Sequence, residues 1–122
     1  MKPIPIQNNE LKWILIDFDN TIVQSTGYPK FEVIGAKKGV RSALLKLMKK
    51  GYRIHVHTAR PSSEYRDIET FLQEFNIPHH SIHTGKELGV MYIDDRGYRF
   101  NDWDVDIKNI LDILKNNNGT GK

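Results

Sequence analysis

The sequence contains no cysteine. That excludes a disulfide framework, a thiolate metal site and a cysteine nucleophile. It has no apolar run approaching the ~18 residues that cross a bilayer, and no apolar signal-peptide core at its N-terminus. The expectation is a cytoplasmic protein with no membrane partner. Proline and tryptophan are sparse, at five and two residues, and neither a repeat nor a low-complexity linker divides the chain. Excess charge is scarce as well. Eighteen Lys and Arg against fifteen Asp and Glu leave +3, which permits a polyanionic partner without requiring one. What remains is 122 residues, 39% hydrophobic and 27% charged, the make-up of one globular domain with its own core.

Residues 1–10 read as an N-terminal arm. Residues 11–18 (LKWILIDF) are almost continuously apolar, as a strand covered on both faces should be. Residues 22–35, with Gly27, Pro29 and Gly35, read as a loop or a small hairpin through Tyr28 and Phe31. Val40, Ala43, Leu44, Leu47 and Met48 recur at helical spacing over 39–50, and Gly51 supplies the stop. RIHVH at 53–57 alternates as a strand. Ser62 offers a cap to a helix striped by Ile68, Phe71, Leu72 and Phe75, which Asn76 and Pro78 close. A short strand is expected at 79–83, one helical turn at 85–89 and a third apolar strand at 89–93. Ile107, Ile110, Leu111 and Leu114 stripe a C-terminal helix, and 116–122 read as a flexible tail. Strands alternating with helices predict a single α/β domain over 1–122. It is a three-layer, Rossmann-like fold with a mainly parallel sheet and helices on both faces.

In an open parallel sheet, ligands bind beyond the carboxyl ends of the strands. The polar residues expected there are Asp17 and Asp19 after the first strand, Thr58 after the second, and Asp94 and Asp95 after the third, with Lys86 shortly before. Asp17 and Asp19 are two apart, so an extended backbone sends their side chains to one side. Four carboxylates around one crevice call for a cation. Hard oxygen ligands in that number favour Mg2+, which also takes water and substrate phosphate oxygens. Such a site suits phosphoryl transfer, with one carboxylate as nucleophile and a second moving the proton.

These residues also carry a resemblance. DFDNTI at 17–22 after an apolar strand resembles the signature of the haloacid dehalogenase (HAD) superfamily of phosphohydrolases. Three further motifs of that family follow in order: Thr58 in HTAR, Lys86 in TGKELG, and Asp94-Asp95 in YIDDR. The resemblance spans residues 11–100. It implies that Asp17 is the nucleophile and Asp19 the general acid/base. Thr58 would hold a phosphoryl oxygen, and Lys86 would stabilise nucleophile and phosphate. Asp17, Asp94 and the Asp19 carbonyl would bind Mg2+, with Asp95 ligating through water. Asn20, Thr21, Ala59 and Arg60 line the same motifs as substrate-binding candidates, Arg60 as a reader of a second phosphate or a carboxylate. Sixteen residues separate Asp19 from Ala36, and Lys86 to Asp94 is equally cramped, so neither gap holds a cap domain. The chain therefore resembles the small capless subgroup. From TAR through NDW it is most similar to phosphatases associated with capsule and sugar-phosphate biosynthesis. The expected substrate is a phosphorylated small molecule, a sugar phosphate or nucleotide, ahead of nucleic acid. With no cap, specificity falls to the 22–35 loop, a homo-oligomer partner or a large substrate.

Other features have plainer readings. A zinc site would need three or four converging ligands, so the five histidines (55, 57, 79, 80, 83) read as surface or interlayer side chains. His57, nearest the site, is a candidate substrate contact. Lys37, Lys38, Arg41, Lys46, Lys49, Lys50 and Arg53 spread around a helix's polar arc and read as a solvated face. Tyr28, Lys30 and Arg96 are rim candidates, and Trp13 and Trp103 read as core or rim packing. Two alternatives stand beside the phosphatase reading: a nucleic-acid 3′-end or nucleotide phosphatase, and a phosphoacceptor receiver domain. Receivers place their acidic pair first, the phosphorylated Asp mid-chain and Lys last. Here the lysine precedes the second acidic pair.

Overall fold

The computed structural model describes residues 12–27, 29–87, 89, 91 and 97–119. The apolar run after Lys12 forms β1 (Trp13–Ile16), and a tight turn follows in which the amides of Thr21, Ile22 and Val23 all donate to the Phe18 carbonyl. The segment expected as a loop or a small hairpin is a hairpin, two short antiparallel strands, β2 (Val23–Ser25) and β3 (Val33–Ala36). Then come α1 (Val40–Lys49), β4 (Arg53–His57), α2 (Tyr65–Glu74), β5 (Ser81–His83) and α3 (Trp103–Gly119). β1, β4 and β5 make a parallel sheet in that order, with Ile16 opposite Val56 and His57 opposite His83. The fold is α/β, and no helix among the described residues is long and apolar enough to cross a membrane.

Both early helices end in the same way. Gly51 (φ 94°) and Asn76 (φ 53°) take the left-handed conformation just past α1 and α2. Tyr52 then donates to Leu47 and Ile77 to Leu72, tucking one apolar residue under each helix. Gly39 opens α1 at φ 81°, a left-handed conformation that side-chain-bearing residues rarely adopt, and a Cβ there would lie 2.7 Å from Asp104 Oδ1 of α3, which would have to move aside.

Leu44 and Leu47 of α1, Ile68 and Leu72 of α2, and Ile54 and Val56 of β4 are fully buried in one cluster with Trp103 and Ile107 of α3. Each such aliphatic side chain contributes about 1.5–3 kcal/mol of burial free energy. The cluster lies on one face of the sheet, so the described residues form two layers where helices on both faces are expected. The reason is topological. β1 to β4 to β5 steps twice in the same direction, and right-handed crossovers put both intervening helices on one side. The opposite face carries Trp13, His55, His57 and His83, with Leu15 58% exposed.

Two further expectations differ. Residues 62–64 form a 3-10 turn with no side-chain cap from Ser62, and α2 starts at Tyr65. Residues 85–87 are not helical; there Gly85 donates to the Arg60 carbonyl and Lys86 to that of Thr58, extending the pairing beyond β4. α3 runs through Gly119, so 116–119 belong to the helix and not to a tail. The 1–10 arm and most of the strand expected at 89–93 lie outside the described residues.

Candidate functional site

The parallel register of β1 and β4 aligns their carboxyl ends, and of the predicted residues Asp17, Asp19, Thr58, Arg60 and Lys86 lie there. Asp17 leaves β1 first, and its Oδ1 accepts a hydrogen bond from Lys86 Nζ at 3.1 Å. Lys86 reaches this point because its own amide is tied to the Thr58 carbonyl at 2.9 Å. Its side chain is 19% exposed, against 44% for Asp17, so the carboxylate is the accessible member of the pair.

Asp19 has a different environment. Arg60 Nε donates to its Oδ2 at 2.9 Å and Arg60 Nη2 to its Oδ1 at 2.7 Å, a bidentate pair. Ser25 Oγ, from β2, donates to the same Oδ1 at 2.6 Å. The guanidinium also donates to Glu64 Oε1 at 2.9 Å and to the Phe31 carbonyl, and lies over the Phe18 ring. Its side chain is only 12% exposed. The hydrogen bond to Asp19 is the main reason Arg60 is held above its usual pKa, and burial only partly opposes it.

Thr58 is fully buried, and its Oγ1 accepts the Arg60 amide at 3.1 Å. The hydroxyl thus shapes the turn that presents the guanidinium. Asn20 sits at φ 58°, and its side-chain oxygen accepts the Ser25 amide at 2.9 Å, fastening the turn to β2. The Thr21 carbonyl accepts Trp103 Nε1 at 2.7 Å, which anchors the same turn to α3. Ala59 is a half-buried link between Thr58 and Arg60. Asp94, Asp95, Tyr28 and Arg96 lie outside the described residues.

His57 faces the site from β4, with its ring 5.0 Å from that of His83. Burial is the main cause pulling its pKa below the usual imidazole value, and Lys86, His83 and His55 add to it while Asp17 opposes. His55 is lowered in the same way, by burial and then by His83.

Mg2+ fits part of this arrangement. It takes one or two carboxylates and fills the rest of its shell with water and phosphate oxygens. Asp17 offers a partly solvated carboxylate, whereas the Asp19 carboxylate is engaged by Arg60 and Ser25, leaving that residue's main-chain carbonyl as the donor the resemblance calls for. Among the described residues, no group of three or more His, Asp or Glu is arranged to hold a metal ion.

The sequence did not reveal Ser25 or Glu64 as members of the site. Glu64 had a signal, since it stands four residues after Arg60 at the start of helical sequence. Ser25 had none, because nothing in its neighbours tells which strand end it will face.

No family model and no curated protein matches the chain. Among solved structures it is similar to an MCSG target from Vibrio cholerae, with 24% identity and a TM-score of 0.63 over 85% of this chain and 99% of that one. That likeness bears on the fold alone.

Proposed function

We propose that the chain is an Mg2+-dependent phosphomonoesterase, a capless Rossmann-like member of the haloacid dehalogenase superfamily that works through an aspartyl-phosphate on Asp17. The observation that carries this reading is the division of labour at one strand end. An accessible carboxylate lies against a lysine, and two residues on, a second carboxylate is held in place by a guanidinium and a hydroxyl.

Asp17 attacks phosphorus in line, the P–O bond to the leaving group breaks, and Asp19 delivers its proton to that oxygen. Water then attacks the phosphoryl group and gives its proton to Asp19. Inorganic phosphate departs and Asp17 is regenerated. Lys86 neutralises charge that builds on the phosphoryl oxygens, and its ammonium keeps Asp17 oriented. Asp17, the Asp19 carbonyl and, as the resemblance implies, Asp94 and Asp95 would hold Mg2+, which would supply further charge neutralisation at the phosphoryl group.

The substrate class favoured is a small phosphate monoester such as a sugar phosphate or nucleotide, ahead of nucleic acid. The reading is tested with an aryl phosphate in the presence of Mg2+. Hydrolysis should stop in EDTA, return with Mg2+, and be lost in Asp17→Asn; turnover that persists in either condition overturns it. A panel of sugar phosphates run against a 3′-phosphorylated oligonucleotide separates the small-molecule reading from the nucleic-acid one.

A further inference from the structure

We infer that Arg60, together with Ser25, is a positioning residue for the proton-transferring carboxylate of Asp19 and not a hook for substrate anions. This rests on the phosphatase reading and deepens it. Four of the guanidinium's five N–H donors are committed: to both oxygens of Asp19, to Glu64 and to the Phe31 carbonyl. A buried fork already closed on a carboxylate has little left to offer an incoming phosphate. The turn that presents it is itself locked, by Thr58 Oγ1 on the Arg60 amide and by the Arg60 carbonyl on Gly85.

The two oxygens of Asp19 are not equivalent. Oδ1 accepts from Arg60 Nη2 and from Ser25 Oγ, whereas among the described residues Oδ2 accepts from Arg60 Nε alone. A proton on the carboxyl group therefore displaces least at Oδ2. Oδ2 is the atom that hands the proton to the leaving oxygen and later takes one from water, while Oδ1 is the fixed pivot. The donors come from two separate elements, the β2–β3 hairpin and the turn after β4. The carboxylate is thus fixed against rotation from both sides before substrate arrives.

The experiment compares an alkyl phosphate, whose leaving oxygen needs a proton, with 4-nitrophenyl phosphate, whose leaving group departs without one. Arg60→Lys keeps the charge but cannot form the two-point fork, and Ser25→Ala removes the second donor to Oδ1. Both variants should slow alcohol release from the alkyl phosphate in the first turnover, before the aspartyl-phosphate is hydrolysed, by about 100-fold for Arg60→Lys, yet keep the first-turnover release of 4-nitrophenol within about tenfold of wild type. KM should change little on either. Equal losses in the two first-turnover rates, or a rise confined to KM, would overturn the positioning role and make Arg60 an anion hook. Asp17→Asn is the control that separates this from the underlying reading. If it retains turnover, the site itself is misassigned. If it is inactive while the Arg60 and Ser25 losses ignore the leaving group, the positioning role alone fails.

Discussion

Lys86 Nζ lies 3.1 Å from Asp17 Oδ1 although 69 positions separate the two residues. The contact exists because the amide of Lys86 extends the ladder beyond β4, which carries the ammonium to the end of β1. Replacing Lys86 by Met keeps the aliphatic stem and removes the charge. It should lower kcat for aryl phosphate by about 100- to 1,000-fold, the usual cost of losing one donor aimed at developing charge. Steady-state kinetics beside an unchanged circular dichroism spectrum is the check; a change confined to KM would count against the role given to Lys86.

Trp103 ties α3 to the turn that carries Asp19, through its indole hydrogen bond to the Thr21 carbonyl. Trp103→Phe keeps most of the buried ring and leaves that carbonyl without its donor. Urea unfolding should show a loss of about 1–3 kcal/mol. Wild-type stability would mean that water replaces the indole at no cost.

Asp106 is buried near the start of α3, where it accepts the Asn101 amide at 2.6 Å, the Asp102 amide at 2.8 Å and the Tyr98 hydroxyl at 2.9 Å. Those two amides are the main reason its pKa is held below the ordinary value of 3.8. The stabilisation is therefore complete above the unfolded-state pKa and is lost as pH falls through the depressed folded one. Asp106→Ala should cost about 2 kcal/mol at neutral pH. The gap between wild type and variant should narrow below about pH 4, which denaturant midpoints across that range would show.

His55 and His57 carry the opposite charge logic but the same sign. Burial holds each below the usual imidazole value of 6.5. As pH falls below that value the unfolded chain takes up protons first, so stability present above it is lost on the acid side. The doubly substituted His55→Gln, His57→Gln protein should lose less stability than wild type between about pH 7.5 and about pH 5.5. Parallel losses in the two proteins would show that neither imidazole is linked to folding.

Much of the fold is written locally. RIHVH alternates, and β4 spans those same five residues with Ile54 and Val56 buried. The stripe from Val40 to Met48 and the stop at Gly51 define α1, since periodicity and a left-handed residue act within a single turn. Asp17 and Asp19 are legible because an apolar strand stops abruptly at acids, and a parallel sheet leaves strand ends open to ligands. The hairpin is harder to read: β2 and β3 have three and four residues, too few to show a period, and gain their order by packing Val23 and Ser25 inward. The face that the helices choose follows from strand order, which no window of sequence contains.

The sequence by itself determined β1, β4, the helix stops and the acids at the end of β1, all properties of neighbours in the chain. Only the tertiary structure decided which cation meets which acid. Two lysines or arginines look alike from the sequence, yet the parallel pairing of β1 with β4 and of β4 with β5 sends Lys86 to Asp17 and Arg60, 41 positions away, to Asp19. It also brought Ser25 to the same carboxylate. Ion pairs act at a few ångströms, and chain topology alone sets which residues come that close.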